Sequence, residues 1–139
     1  MTVSTRTIDL HNDLTVSVAE YGENSDGTAV LVLHGGAGPR SVAGFAEAMS
    51  EHAYTIVPTH PGFDGTPRPD ATDSIADLAT AYLDLLDELD LRHVVVVGSS
   101  FGGWVAAEMI PPVPFYKHSP ETLIQNTARA MDAIFALAD

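Results

Sequence analysis

A serine stands between two glycines, Gly98-x-Ser100-x-Gly102, directly after the apolar run His93-Val94-Val95-Val96-Val97 and before a helix-compatible stretch through Met109. In so tight a strand-to-helix turn a serine is held in a strained conformation with its hydroxyl above the sheet. The glycines are required because neighbouring backbone comes too close for a Cβ. The chemistry this permits is nucleophilic attack on an acyl carbon. The helix that follows lends backbone N–H groups and its positive end to the oxygen that becomes charged. A second glycine-rich stretch, His34-Gly35-Gly36-Ala37-Gly38, closes the apolar run from Ala29 to Leu33 and can turn further N–H groups inward beside the nucleophile. It lacks the Gly-Lys-Ser/Thr ending of a phosphate-binding loop and the spacing of a dinucleotide fingerprint.

Both turns need buried strands beneath them, and the sequence supplies an alternation of strands and helices. Residues 6–21 alternate apolar and polar around the turn-forming His11-Asn12-Asp13, which predicts an antiparallel hairpin. Runs near 28–34, 54–58 and 92–98 are unbroken apolar stretches of the kind buried on both faces of a parallel sheet. Between them, Ser41 to His52 reads as a short helix. A longer one is capped by Thr72 or Asp73, with Ile75, Leu78, Ala79, Tyr82, Leu86 and Leu89 on one stripe. The Pro- and Gly-rich residues 58–69 must be loop. The fold class is therefore α/β: a mostly parallel sheet with flanking helices in three layers.

The 139 residues make one core of ordinary size, and a chain this long can bury roughly two-thirds of its unfolded surface. Nineteen acids against six bases give a net charge of −13, which repels phosphate backbones and anionic lipid headgroups. Nucleic acid and membrane surfaces are poor partners on that ground, and a small-molecule substrate is the expected one. No window approaches the ~18 apolar residues of a bilayer span, and Met1 to Leu10 lack the pattern of a secretion signal. The expected location is cytoplasmic. The sequence has no cysteine, so disulfides, thiolate metal sites and a Cys nucleophile are excluded. No histidine pair has metal-ligand spacing, and neither a metal nor a cofactor is expected.

Three segments in register, Leu33-His34-Gly35-Gly36-Ala37-Gly38-Pro39, Thr59-His60-Pro61-Gly62-Phe63-Asp64-Gly65 and Val97-Gly98-Ser99-Ser100-Phe101-Gly102-Gly103-Trp104, resemble the α/β-hydrolase superfamily over about residues 6–110. The resemblance implies Ser100 as nucleophile and the N–H groups of Phe101 and Gly36 as oxyanion donors. Gly35, Gly98 and Gly102 are the loop and elbow glycines. It also implies cofactor-free hydrolysis of an ester, lactone, amide or related carbonyl compound. Members of the superfamily run well beyond this length and carry later strands bearing an acid and then a histidine, whereas no Val/Ile/Leu-rich strand follows Met109 here.

The chain thus divides into a hydrolase-like core, residues 1–110, and an atypical segment, residues 111–139. Pro111-Pro112-Val113-Pro114 stops the elbow helix, and Ser119-Pro120-Glu121 opens a last amphipathic helix. Two readings of this segment stand side by side. In one, His118 resembles the superfamily's last catalytic turn, so that Ser100 and His118 form the catalytic pair and the acid-bearing part is lost. In the other, residues 112–139 resemble part of a helical cap and the catalytic histidine is absent. The first makes the protein a Ser100-dependent acyl hydrolase. The second makes it a non-catalytic, hydrolase-like binding module.

Bland readings apply to the remaining candidates. His34 shapes the glycine loop by hydrogen bonding, His60 serves its turn, and His11, His52 and His93 are solvent-exposed. Asp64 is a turn residue, Asp84, Asp87, Glu88 and Asp90 form a solvated helix face, and Trp104 belongs to the core. With later strands missing, the strand ending at Gly98 is left as a sheet edge or paired with residues 113–117. An exposed edge favours homo-oligomers.

Overall fold

In the computed structural model, residues 3–11 and 13–110 are described. The chain forms two compact units, Met1–Met109 and Ile110–Asp139. His118, residues 113–117 and the helix expected from Ser119 lie outside the described residues.

The first unit is built on a five-stranded sheet in the order β1-β2-β4-β3-β5. Strands β1 (Val3–Asp9) and β2 (Thr15–Tyr21) form the expected antiparallel hairpin, closed by the Leu10 N–H donating to the Leu14 carbonyl at 2.7 Å. β2 then runs antiparallel to β4 (Tyr54–Pro58). β3 (Thr28–Leu33) lies parallel to both β4 and β5 (His93–Gly98), so the centre of the sheet is parallel. The fold is the α/β arrangement expected from the alternation of strands and helices.

Side-chain alternation along the central strand builds two cores. Ala29, Leu31 and Leu33 join a buried cluster with Leu78, Tyr82 and Leu85 of α2 (Ile75–Glu88) and with Val105 and Met109 of α3 (Phe101–Met109). Val30 and Val32 point to the opposite face and are equally buried. Ala46 and Met49 of α1 (Ala43–Met49) are also buried, outside the α2–α3 cluster. Helices on two faces of a sheet give the three layers.

Three local expectations need correction. The first helix does not start at Ser41: a 3-10 turn, Pro39–Val42, precedes α1, because the chain leaves the glycine loop through Pro39 with its φ already fixed. Neither Thr72 nor Asp73 caps α2. Ser74 does, its hydroxyl accepting the Asp77 N–H at 3.0 Å, while the Asp77 carboxylate accepts the Asp73 N–H at 3.3 Å. β5 is only half-buried, with Val95 42% exposed, since among the described residues it pairs with β3 alone.

Candidate active site

β3 and β5 lie side by side in register from Thr28 and His93 to Leu33 and Gly98, so their C-terminal ends deliver the glycine loop and the elbow to one place. The Ser99 N–H donates to the Leu33 carbonyl at 3.0 Å and extends that pairing into the turn. The next residue, Ser100, has φ +54°, a left-handed conformation that costs a β-carbon-bearing residue ~1 kcal/mol or more. Its carbonyl accepts the N–H groups of Gly103 and Trp104, so α3 starts immediately behind it.

Close backbone approach explains the glycines. A Cβ on Gly98 would lie 2.3 Å from the Gly102 carbonyl oxygen, and one on Gly102 would lie 2.2 Å from the Leu33 carbonyl oxygen. A Cβ on Gly35 would meet the Ser99 carbonyl oxygen at 2.9 Å and the Ser100 Cβ at 3.2 Å. The glycine loop is therefore pressed against the nucleophile's turn. Beside Gly36, by contrast, the space a Cβ would take is open. Among the described residues, no hydrogen bond uses the Gly36 N–H, the Phe101 N–H or the Ser100 hydroxyl.

Behind the loop sits a polar cluster that sequence reasoning undervalued. His34 and His60 are fully buried with their ring centroids 3.9 Å apart, and Tyr82 on α2 is equally buried. The His60 Nε2 lies 2.6 Å from the His34 carbonyl, which can only accept, so Nε2 carries the proton. His60 Nδ1 then accepts from the Tyr82 hydroxyl at 2.6 Å. The His60 backbone N–H donates to His34 Nε2 at 3.0 Å, which places the His34 proton on Nδ1, 2.7 Å from the Gly35 carbonyl. All four ring nitrogens are engaged. Burial lowers both histidines below the ordinary range, His60 to about 4, where repulsion between the two rings when both are protonated adds to it, while the Gly35 carbonyl and then Asp64 pull His34 back upward. Both are neutral at pH 7.

Neither ring is therefore free to serve Ser100 as a base. His11, His52 and His93 are exposed, as expected, and lie at the edges of elements. The sequence alone assigns His60 to a turn, because Pro- and Gly-rich loops usually face water. Its burial depends on Tyr82, twenty-two residues away, and the only local hint was an imidazole inside a stretch otherwise built for a turn. Trp104 is not core, contrary to expectation, but 60% exposed. The helix turns Val105 inward instead, leaving the indole beside an open groove of about 610 Å³ with Phe63, Ile75 and Phe101.

Comparison with known proteins places the chain in a family. The profile of the Alpha/beta hydrolase family matches residues 30–136, and the chain belongs to that family. It is 31% identical over 116 residues to the uncharacterized hydrolase YcgS of Bacillus subtilis, covering 83% of this chain and 38% of that protein. Among solved structures, the epoxide hydrolase VrEH1 from Vigna radiata shares 26% identity with a TM-score of 0.65, over 75% of this chain and 34% of that one. A variant of the N-acyl homoserine lactonase AidH, complexed with N-hexanoyl homoserine, shares 25% identity with a TM-score of 0.66, over 81% and 42%. The chain thus spans well under half the length of the proteins it matches. No described helix is long and apolar enough to cross a membrane.

Proposed function

We propose that this chain carries the nucleophile half of a serine hydrolase that acts on a small ester, lactone or related carbonyl compound. The observation that carries this reading is Ser100 at φ +54° between Gly98 and Gly102, with Gly35 against its Cβ. Ser100 Oγ attacks the carbonyl carbon as its proton passes to a base. The carbonyl oxygen, now negative, is received by the unbonded N–H groups of Gly36 and Phe101 at the positive end of α3. Collapse of the tetrahedral intermediate expels the alcohol, which takes up the proton, and water then cleaves the acyl-enzyme by the same route. His118 is the base that this chain offers. The lactonase neighbour, bound to an acyl homoserine, supports carbonyl substrates of this size.

A second reading has its own support. The two buried imidazoles, His34 and His60, are fully committed to structure, so neither serves as a general base for Ser100. On this reading the cleft binds without catalysis. Fluorophosphonate treatment followed by intact mass separates the two. Labelling abolished by Ser100→Ala and by His118→Ala supports a working pair. A folded protein that stays unlabelled is a non-catalytic module.

A further inference from the structure

The His34–His60 pair does more than fill space, because of where its last hydrogen bond ends. A peptide unit is planar and trans, so the Gly35 carbonyl and the Gly36 N–H point in opposite directions. Whatever grips that carbonyl aims that N–H. Two donors grip it: the Gly38 N–H at 3.1 Å, which closes the loop's own turn, and His34 Nδ1–H at 2.7 Å, the shorter bond, which exists only while the His34 proton is on Nδ1. The proton is kept there because Nε2 must accept the His60 backbone N–H at 3.0 Å. His60 is in turn held by its ring: Nε2–H to the His34 carbonyl, Nδ1 from the Tyr82 hydroxyl. The chain of constraint runs from α2 through the loop after β4 to the loop after β3, and each link is buried away from competing water.

We propose that His34 and His60 are positioning residues of the oxyanion hole, each fixed in one tautomer by the other's backbone, with Tyr82 fixing the His60 ring in place, and that together with the Gly38 N–H they direct the Gly36 N–H by holding the Gly35 carbonyl on the side away from the reacting oxygen. This rests on the serine-hydrolase reading for what Gly36 serves, but the orientation itself is a property of the folded chain. It assigns His60 and Tyr82 a role in the reaction although neither touches substrate.

Ring-nitrogen NMR of the wild-type protein is the first test. His34 is expected protonated at Nδ1 and bare at Nε2, and His60 the reverse. The opposite state of His34 overturns the proposal. The second test follows the Gly36 amide resonance in variants. In His34→Asn the side-chain amide nitrogen takes the place of Nδ1, so the Gly36 signal should stay near its wild-type position. In His34→Gln the amide reaches the Nε2 position instead, and the signal should move. Equal shifts in both variants overturn the proposal. Tyr82→Phe, a conservative change, leaves His60 Nδ1 without its donor and the ring free to shift while Nε2 stays protonated against the His34 carbonyl, so Gly36 should move while β1 and β2 amides stay put. An unmoved Gly36 in that folded variant speaks against any positioning by α2. Ser100 labelling is read separately, and its rate should fall ~10-fold from His34→Asn to His34→Gln. Gly36 movement without labelling in any variant removes the hydrolase reading and leaves the clasp itself standing.

Discussion

Ser100 carries a conformational penalty that the proposed nucleophilic role accounts for. Its φ of +54° suits glycine, so Ser100→Gly should raise stability by ~1 kcal/mol in denaturant titrations while abolishing covalent labelling. An unchanged or lower stability would show that the turn holds no strain. Gly102 lies at the other extreme. A Cβ there would sit 2.2 Å from a backbone oxygen of β3, which cannot swing aside, so Gly102→Ala should cost ~3 kcal/mol or more, read from the same titrations. His60 sets a pH dependence. Its folded value of about 4 lies below the ordinary 6.5, so the unfolded chain binds the proton more tightly. The corresponding stability is fully present above pH ~6.5 and is lost as pH falls toward about 4, by ~3 kcal/mol in total. Equal unfolding free energies at pH 7 and pH 4.5 would contradict the buried neutral ring.

At the scale of elements, α2 is the one that ties local sequence to the site. Its Ser74 cap is ordinary helix chemistry, and Ser74→Ala should lower the melting temperature through a loss of ~1 kcal/mol. Its inward stripe is centred on Leu78, Tyr82 and Leu85, with Leu86 and Leu89 only partly buried. Tyr82 thus sits in the middle of an apolar face and places its hydroxyl against the loop after β4. The loop after β3 works on the same plan, since Gly35 approaches Ser100 only because β3 and β5 are parallel neighbours in matched register.

At the scale of the whole molecule, β5 ends the sheet among the described residues, and Val95 on it is 42% exposed. An uncharged valine strand that pairs on one side only, among the described residues, is a template for pairing. Sedimentation should therefore show association that grows with protein concentration, and Val95→Lys should weaken it. A monomer at all concentrations would show that this edge is covered. The net charge of −13 opposes such association, so added salt should strengthen it.

The alternation of apolar runs with amphipathic stretches determined the α/β class. The Gly-x-Ser-x-Gly turn and the glycine loop were equally legible, because both rest on local rules: a period in hydrophobicity, and the steric demand of backbone packed too close for a Cβ. Tertiary structure alone decided the rest. That Trp104 faces out follows from which side of α3 meets the sheet. That His60 is buried and neutral follows from an α2 tyrosine reaching a loop that, by composition, belongs in water. The direction of the Gly36 N–H was beyond the sequence for the same reason. On our proposal it depends on the tautomer of His34 as well as on the loop's own Gly38 N–H, and that tautomer is settled by a backbone donor twenty-six residues away.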